Sequence, residues 1–577
     1  MNRGDVKCRT VSVLFLLLTL ALPISAQKNS GWFRGGQVNA SAPETLKSPQ
    51  ATLRGLIRAG RIDDLRWPDF SDYRAEVEKF YSRSHYAPAW FRDGNPTPQA
   101  LLMIDILQQA ESEGLRAEDY DSSRWTERLM RLQRQHSPSD GVRIDAALTV
   151  CALRYVSDLR VGRINPRHLK FGVDAGAKGL DLPMFVQQRL ADGKDLKSEL
   201  SAIEPTLVGY HDLRKALLTY VRLAKEDDGE KLPLATDMGY PAPPYPGYIR
   251  LTRLLRRLGD LPDDYSVAAA SSFPYDPSLE QAVRHFQQRH GLPATGYLDK
   301  ETVEQLNVPL SYRIEQIQLA LERYRWLPNH FPQPPIMVNI PGFHLYAFNR
   351  AGKIALTMRV DVGEDYTNTR TPLMEDDMEY LVFRPYWDVP LAIQKNEIIP
   401  AIAEDPNYLS KYHYDVIAPT GRVVTNGTVT SEVLQELRRG SVRVRQRPGP
   451  DNALGLVKFI FPNRYSVYLH DIPARDFYFA LPQKRIVSHG CVHLEKPAEL
   501  AAWVLRDKPE WTLQRVQQAM NNGHDNRRVN LSKPLPVLFV YITASAGDNG
   551  DVHFYRDIYG YDADLLKALA KGYPYPK

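Results

Sequence analysis

Apolar positions change their spacing along the chain, which separates a helical half from a strand-rich half. Up to about residue 225 they recur every three to four residues, a spacing typical of helices. From about residue 336 they alternate or form short runs between turn residues, as strands do. The clearest predicted helices are 73–81, 101–107 and 144–159, with later ones at 432–438, 498–505 and 512–520. The predicted strands are 336–340, 345–348, 354–362, 458–460, 466–469, 538–542 and 552–555, the last two joined as a hairpin through 547–551.

A shorter helical segment lies between the two halves. It follows Tyr240–Gly247, a proline-rich stretch that predicts an extended connector. Three helices are predicted within it, at 249–258, around 279–286 and at 299–306. We therefore predict a multidomain α+β protein. Its expected parts are a helical domain over 51–240, a three-helix module over 248–310, and a β-rich domain over 335–565 with an insertion at 391–450.

The first 26 residues have the pattern of a secretory signal. Arg3, Lys7 and Arg9 precede the apolar stretch Val11–Leu22, and small residues end the segment at Ala26. Twelve residues are too few to span the membrane as a helix, which takes about twenty. We predict export with cleavage near Ala26 and no membrane span afterwards. Residues 27–50 are polar without an apolar period and are predicted to be disordered.

Charge and cysteine usage narrow the possible chemistry. A net charge of +5 without long basic runs excludes a nucleic-acid-binding protein. After signal cleavage two cysteines remain, too few for a disulfide framework. Cys151 lies on the apolar face of the 144–159 helix and is predicted to be a core residue. Cys491 lies in the sequence IVSHGCVH and has no such apolar pattern around it, so it is the candidate for chemistry.

The residues around Cys491 suit nucleophilic catalysis. A cysteine nucleophile needs a base close to its thiol and N–H donors for the oxyanion that forms on attack. His470 ends an apolar alternating strand, where a side chain is held rigidly. Gly490 lets the backbone approach a substrate carbonyl closely. We predict Cys491 as the nucleophile and His470 as its base.

These residues resemble the signature of the L,D-transpeptidase family. In that signature a histidine precedes a Ser-His-Gly-Cys motif by 14–17 residues, and here 17 residues separate His470 from Ser488. Residues 282–303 resemble the three-helix peptidoglycan-binding module, which is a family of its own. Further matching segments are Arg370–Pro372, Tyr386–Pro390, Phe461–Asn463 and Asp557–Gly560, and, for the scaffold domain of the large Gram-negative members, Glu113–Leu115, Asp119–Tyr120 and Gly162–Pro166.

The resemblance implies a mechanism without a metal or organic cofactor. Cys491 would attack the carbonyl of the third residue, meso-diaminopimelate, in a peptidoglycan tetrapeptide stem, and D-Ala would leave. His470 would move the proton while the main-chain carbonyl of Asp471 orients its ring. Backbone N–H groups of Gly490 and Cys491 would hold the oxyanion. An amine of a second stem would then resolve the thioester as a cross-link.

The resemblance also implies a set of flanking residues and a location. Residues 391–450 would cap the cleft, and the location would be the periplasm, with peptidoglycan stems and other wall-synthesis enzymes as partners. Such enzymes serve cell-wall organisation and cell shape, and their thiol reacts with carbapenems. One departure concerns position 493, where the family usually has an arginine that clamps a carboxylate. The remaining candidates are Ser488 and His489 in the loop, and Tyr468, Tyr386, Trp387 and His493 for substrate binding.

Several alternatives stay open from the sequence. His470, His489, Cys491 and His493 could instead bind zinc. The same thiol site could use water and act as an L,D-carboxypeptidase, or use another amine and attach a protein to the wall. A non-catalytic wall-binding protein is the alternative of a different class.

Overall fold

The computed structural model describes residues 48–577 except 136–137, 174–178, 208, 235–244, 266–274, 367–368, 481–484, 548–549 and 576–577. The predicted signal segment and most of the segment predicted to be disordered lie outside these residues, as does part of the proline-rich connector. The first described helix begins at Pro49, inside the 27–50 segment. Across the described residues, no helix has the length and apolar character needed to cross a membrane.

The first part of the described chain is helical, as the apolar spacing predicts. A long central helix carries Cys151, which is 1% exposed, so its predicted place in the core is confirmed. Two short strands, β1 (Phe91–Arg92) and β2 (Asn95–Pro96), pair beside it. The helices are α1 (Pro49–Ala59), α2 (Arg74–Ser82), α3 (Pro98–Gln108), α4 (Trp125–Gln135), α5 (Pro138–Val161), α6 (Leu182–Phe185), α7 (Leu196–Ser201) and α8 (Tyr210–Glu226).

The middle module consists of α9 (Tyr248–Arg257), α10 (Pro277–Arg289) and α11 (Lys300–Leu306), so the three predicted helices are confirmed. Its buried apolar side chains form a hydrophobic cluster separate from the main core. Asp276 and Asp299 cap α10 and α11 by accepting hydrogen bonds from N–H groups of their first turns.

A helix absent from our prediction, α12 (Leu310–Tyr324), connects the module to the β-rich domain. It packs on α8, and its buried Glu322 accepts hydrogen bonds from the backbone N–H groups of Arg163 and Ile164. The same carboxylate pairs with the Arg163 guanidinium at 3.2 Å. Residues 162–166 therefore anchor the helical domain to α12.

The β-rich domain is built on a sheet that closes on itself. Its strand order is β13-β5-β14-β12-β11-β6-β15-β3-β4, and closure arises because β4 pairs with β5 as well as with β3. The strands are β3 (Ile336–Asn339), β4 (His344–Phe348), β5 (Ile354–Gly363), β6 (Met374–Phe383), β11 (Val457–Ile460), β12 (Leu469–His470), β13 (Ile486–Ser488), β14 (Val492–Leu494) and β15 (Arg527–Val540). Around it lie α17 (Arg475–Ala480), α18 (Pro497–Val504), α19 (Leu513–Asn522) and α20 (Tyr561–Leu569).

Two strand predictions in this domain are wrong. The predicted strand 466–469 is reduced to β12, because Ser466 has a left-handed φ of 54° and the Asn463 side chain holds a loop there through hydrogen bonds to backbone groups of Tyr465 and Val467. The predicted pairing of 538–542 with 552–555 is also wrong. The hairpin partner of β17 (Val552–Phe554) is β16 (Ala544–Ala546), whereas β15 pairs with β3 and β6.

The insertion forms a second, smaller sheet, which we call the cap subdomain (Trp387–Gln446). Its strand order is β7-β10-β8-β9, and its buried side chains form a hydrophobic cluster of their own. A continuous helical segment, Leu391–Glu404, contains a π-helical turn at Gln394–Ile398. The elements are β7 (Trp387–Asp388), α13 (Leu391–Ile393), α14 (Ile399–Glu404), α15 (Tyr408–Lys411), β8 (Tyr414–Ile417), β9 (Val423–Thr425), α16 (Ser431–Arg439) and β10 (Arg443–Gln446).

Candidate active site

Strand pairing places four ionisable side chains in one row across the closed sheet. Lys458 on β11 is opposite His470 on β12, His470 is opposite His493 on β14, and His493 is opposite Asp361 on β5. Directly paired residues of neighbouring strands point to the same face. We call this set the ionisable row; it starts with a cation at Lys458 and ends with a carboxylate at Asp361.

Cys491 lies on the same face as the row. It directly precedes β14, two residues before His493, and alternation along an extended chain places its side chain on the same side. Tyr468 precedes His470 by two residues and its carbonyl accepts a hydrogen bond from the Val492 N–H at 2.9 Å, so Tyr468 lies beside Cys491. The residues that alternate with these along the strands face the core. Sequence neighbours that are fully buried beneath the row are Phe459, Leu469 and Val492.

The His470 ring is fixed with one nitrogen available as a base. Its Nδ1 lies 2.6 Å from the main-chain oxygen of Asp471, the contact that the resemblance implied. A carbonyl accepts only, so Nδ1 carries the proton and Nε2 is left with a lone pair. The Asp471 carboxylate accepts hydrogen bonds from the Leu456 N–H at 2.9 Å and from Arg475 at 2.9 Å, which holds this peptide in place.

Burial keeps both His470 and Cys491 uncharged in the resting site. The pKa of His470 is lowered to about 3 by burial, with smaller contributions from His493 and Lys458, and the Asp471 hydrogen bond opposes them. Burial also raises the pKa of the Cys491 thiol to about 11, against a hydrogen bond from the Tyr468 backbone. With these pKa values, a thiol and a neutral imidazole are expected at neutral pH, with the Cys491 side chain half-buried.

The loop before Cys491 is held by a small network of hydrogen bonds. Gly490 has a φ of +113°, which side-chain-bearing residues rarely adopt, and this explains a glycine directly before Cys491. The Ser488 hydroxyl donates to the Cys491 carbonyl. Thr371 Oγ1 donates to the Gly490 carbonyl at 2.9 Å and accepts from the Gly363 N–H at 2.9 Å. The Tyr559 hydroxyl donates to the Gly363 carbonyl at 2.6 Å.

The backbone N–H groups of Gly490 and Cys491, which the resemblance places at the oxyanion, differ in their hydrogen bonds. The Gly490 N–H donates to Ser488 Oγ at 3.1 Å, so it would have to exchange or share this acceptor. For the Cys491 N–H no acceptor is found within the described residues. Of these two N–H groups, that of Gly490 is therefore the one already engaged in the loop.

Comparison with protein families assigns these parts of the chain. The model described as "L,D-transpeptidase catalytic domain" matches residues 334–517, which contain the ionisable row and Cys491. This part of the chain is therefore similar to L,D-transpeptidase catalytic domains. The model described as "Scaffold domain" matches residues 75–217, and the one described as "Putative peptidoglycan binding domain" matches residues 246–306. The resemblance stated from the sequence is thereby confirmed for all three parts.

Individual relatives agree with the family match. A protein of Haemophilus influenzae named "Putative L,D-transpeptidase" is 30% identical over 283 residues, which are 48% of this chain. The aligned part spans about half, 54%, of that relative. Two solved L,D-transpeptidases also match, from Xylanimonas cellulosilytica (13% identity, 54% of this chain, 98% of that chain, TM-score 0.16) and Stackebrandtia nassauensis (14%, 53%, 96%, TM-score 0.21). Structural similarity at these TM-scores supports no conclusion about this chain.

A polar contact joins the cap subdomain to the loop before Cys491. His489 Nε2 lies 2.8 Å from a carboxylate oxygen of Glu397, and both side chains are about half exposed. Glu397 lies in the π-helical turn, an irregularity often found at functional sites. His489 is thus directed at the cap subdomain.

The other substrate-binding candidates lie at two places in the transpeptidase domain. Tyr468 is close enough to Cys491 for the thiol to influence its phenol, whose pKa is raised mainly by burial. His493 lies against His470, with ring centroids 4.9 Å apart, and its Nδ1 is 3.7 Å from Asp361. Tyr386 and Trp387 lie where the closed sheet passes into the cap, and Trp387 contacts Tyr414 of the cap.

Three residues of this site were not predicted from the sequence. Lys458 and Asp361 complete the ionisable row, and Thr371 supports the loop. A signal was present for Lys458, which is the single charged residue of β11, whereas Asp361 shares β5 with Arg359 and does not stand out in this way. As for the zinc alternative, the described residues contain no group of three or more His, Cys, Asp or Glu side chains placed to hold a metal ion.

Proposed function

We propose that this chain is an exported L,D-transpeptidase that cross-links peptidoglycan between third-position diaminopimelate residues through a thioester on Cys491. The observation that carries the proposal is the arrangement of a neutral His470, oriented by the Asp471 carbonyl, on the same sheet face as a neutral Cys491 thiol. The peptidoglycan-binding module and the predicted signal sequence favour action in the periplasm.

In the proposed first half-reaction, the thiol is activated only as it attacks. His470 Nε2 takes the thiol proton while sulfur bonds to the carbonyl carbon of the third stem residue. The Cys491 N–H, with that of Gly490, stabilises the oxyanion. The tetrahedral species then expels the amine of D-Ala, which receives the proton from His470, and an acyl thioester remains on Cys491.

In the second half-reaction, the neutral amine of a second stem attacks the thioester. His470 takes a proton from the attacking nitrogen and returns it to the departing sulfur, so the free thiol is restored. If water attacks instead, the product is a tripeptide, and if a protein amine attacks, that protein becomes attached to the wall. The amine of a second stem is our proposal, and the other two acceptors are alternatives that the same site permits.

Product analysis tests this proposal. The mature chain is incubated with a disaccharide-tetrapeptide, and the products are identified by mass spectrometry, with Cys491→Ala as control. We expect a cross-linked dimer that has lost one D-Ala and is absent from the control. Tripeptide without dimer would replace the proposal with an L,D-carboxypeptidase. No Cys491-dependent product from any donor would favour a non-catalytic wall-binding protein.

A further inference from the structure

The ionisable row leaves one cation without a counter-charge beside the base. Lys458 is directly opposite His470 and half-buried at the junction of the closed sheet and the cap subdomain. Its Nζ makes one long hydrogen bond, 3.5 Å, to the Tyr386 carbonyl. In the part of the chain that the structure describes, Lys458 forms no ion pair with a carboxylate. At least two N–H donors of this ammonium are therefore available to a ligand.

The carboxylate nearest to Lys458 is already engaged. Asp388 is close enough to favour the charged ammonium, but its oxygen lies 2.6 Å from Arg445 Nε in a separate ion pair. The pKa of Lys458 is lowered, mainly by burial, as expected for a cation that has lost water without gaining a partner. A half-buried charge in this state gains from an anion brought by a ligand.

The opposite end of the row carries the opposite charge. Asp361 is 1% exposed, and its oxygens lie 3.7 Å from His493 Nδ1 and 3.4 Å from Arg485. Arg485, the cation at this end, is already paired with the buried Asp361, so it gains less from a substrate carboxylate than the unpaired Lys458 does. The two ends of the ionisable row therefore differ in charge, and the anionic end of a substrate is favoured beside Lys458.

We propose that Lys458 binds the carboxylate of the leaving D-amino acid of the donor stem and so determines specificity for a free C-terminus. This inference rests on the proposed function, in which His470 protonates the leaving nitrogen. His470 must reach that nitrogen, so the leaving residue lies over His470. In the leaving residue, the carboxylate carbon is two bonds away from the nitrogen. Neighbouring strands are about 5 Å apart, so this carboxylate comes within reach of the Lys458 side chain on the strand next to that of His470.

Binding to an inactive chain tests the inference without requiring turnover. In a Cys491→Ala background, the affinity for a tetrapeptide with a free C-terminal carboxylate is compared with that for the same tetrapeptide as its C-terminal amide. We expect the acid to bind about 10- to 100-fold more tightly, the range for one charge-assisted hydrogen bond. Lys458→Met should remove the preference, and Lys458→Arg should keep most of it. Lys215→Met, on an exposed site of α8, is the matched control and should leave the preference unchanged.

The outcomes separate this inference from the proposed function. Equal affinity for the acid and the amide would overturn it, even if cross-linking by the active chain is established. A Lys458→Met chain that stays folded, as judged by its melting temperature, and retains the preference would also overturn it, because another group would then bind the carboxylate. A preference that depends on Lys458, seen in a chain that forms no cross-link, would support the inference and overturn only the proposed reaction.

Discussion

The protonation state of Cys491 gives a prediction with a definite magnitude. With a pKa of about 11, only about one thiol in 10⁴ is ionised at pH 7, whereas a free cysteine of pKa about 8.5 is about 3% ionised. Alkylation requires the thiolate, so Cys491 should react with iodoacetamide roughly 300-fold more slowly than a free cysteine at pH 7. The rate should continue to rise about tenfold per pH unit up to about pH 10.

The assay measures alkylation of the peptide that carries Cys491 by mass spectrometry as a function of pH. The unfolded chain is the matched control, because there the same cysteine has its ordinary pKa. Cys151 does not interfere, since it is buried and lies on a different peptide. A rate that reaches a plateau between pH 6 and 8 would refute the reasoning, because it would mean that His470 and Cys491 form an ion pair at rest.

Three further predictions concern the free energy of unfolding, through His470, the loop before Cys491 and the middle module. The pKa of His470 is about 3 in the folded chain, whereas that of a histidine in the unfolded chain is about 6.5. The free energy of unfolding should therefore fall as the pH drops from about 6.5 to about 3, by up to about 5 kcal/mol. Urea titrations at several pH values measure this fall, and His470→Asn should make it smaller. Thr371→Val removes the hydrogen bonds to Gly363 and Gly490, so it should cost about 1–3 kcal/mol in the same titrations and also lower kcat. In the middle module, Asp260 pairs with the buried guanidinium of Arg289 on α10, so Asp260→Ala leaves that cation without its carboxylate. The free energy of unfolding should fall by about 3–5 kcal/mol, and an unchanged free energy would contradict this reasoning.

The parts of the site that the sequence predicted are those with local patterns. Cys491 and Gly490 lie in one short motif, and His470 is found by its fixed spacing from that motif. Lys458 and Asp361 belong to the site only because β11 and β5 lie on either side of β12 and β14. Strand order in a closed sheet depends on contacts between distant residues, and no local spacing encodes it.

The fold shows the same division between local and distant causes. Helix α2 and the module helices were predictable because their apolar faces are regular. Strand β6 was not recognised, since one of its faces is exposed and its first half, Met374–Glu379, is mostly acidic. Helix α12 does have a regular apolar spacing, so its omission from the prediction was a missed signal.

The mass of the protein after mixing with donor most directly tests the central claim that Cys491 forms the acyl intermediate. The intact chain is mixed briefly with tetrapeptide, quenched in acid, measured, and then digested to locate the modified residue. We expect an added mass equal to the donor minus D-Ala, located on Cys491, and no adduct on Cys491→Ala. Cross-linked product from the Cys491→Ala chain, or an adduct on another residue, would contradict the account.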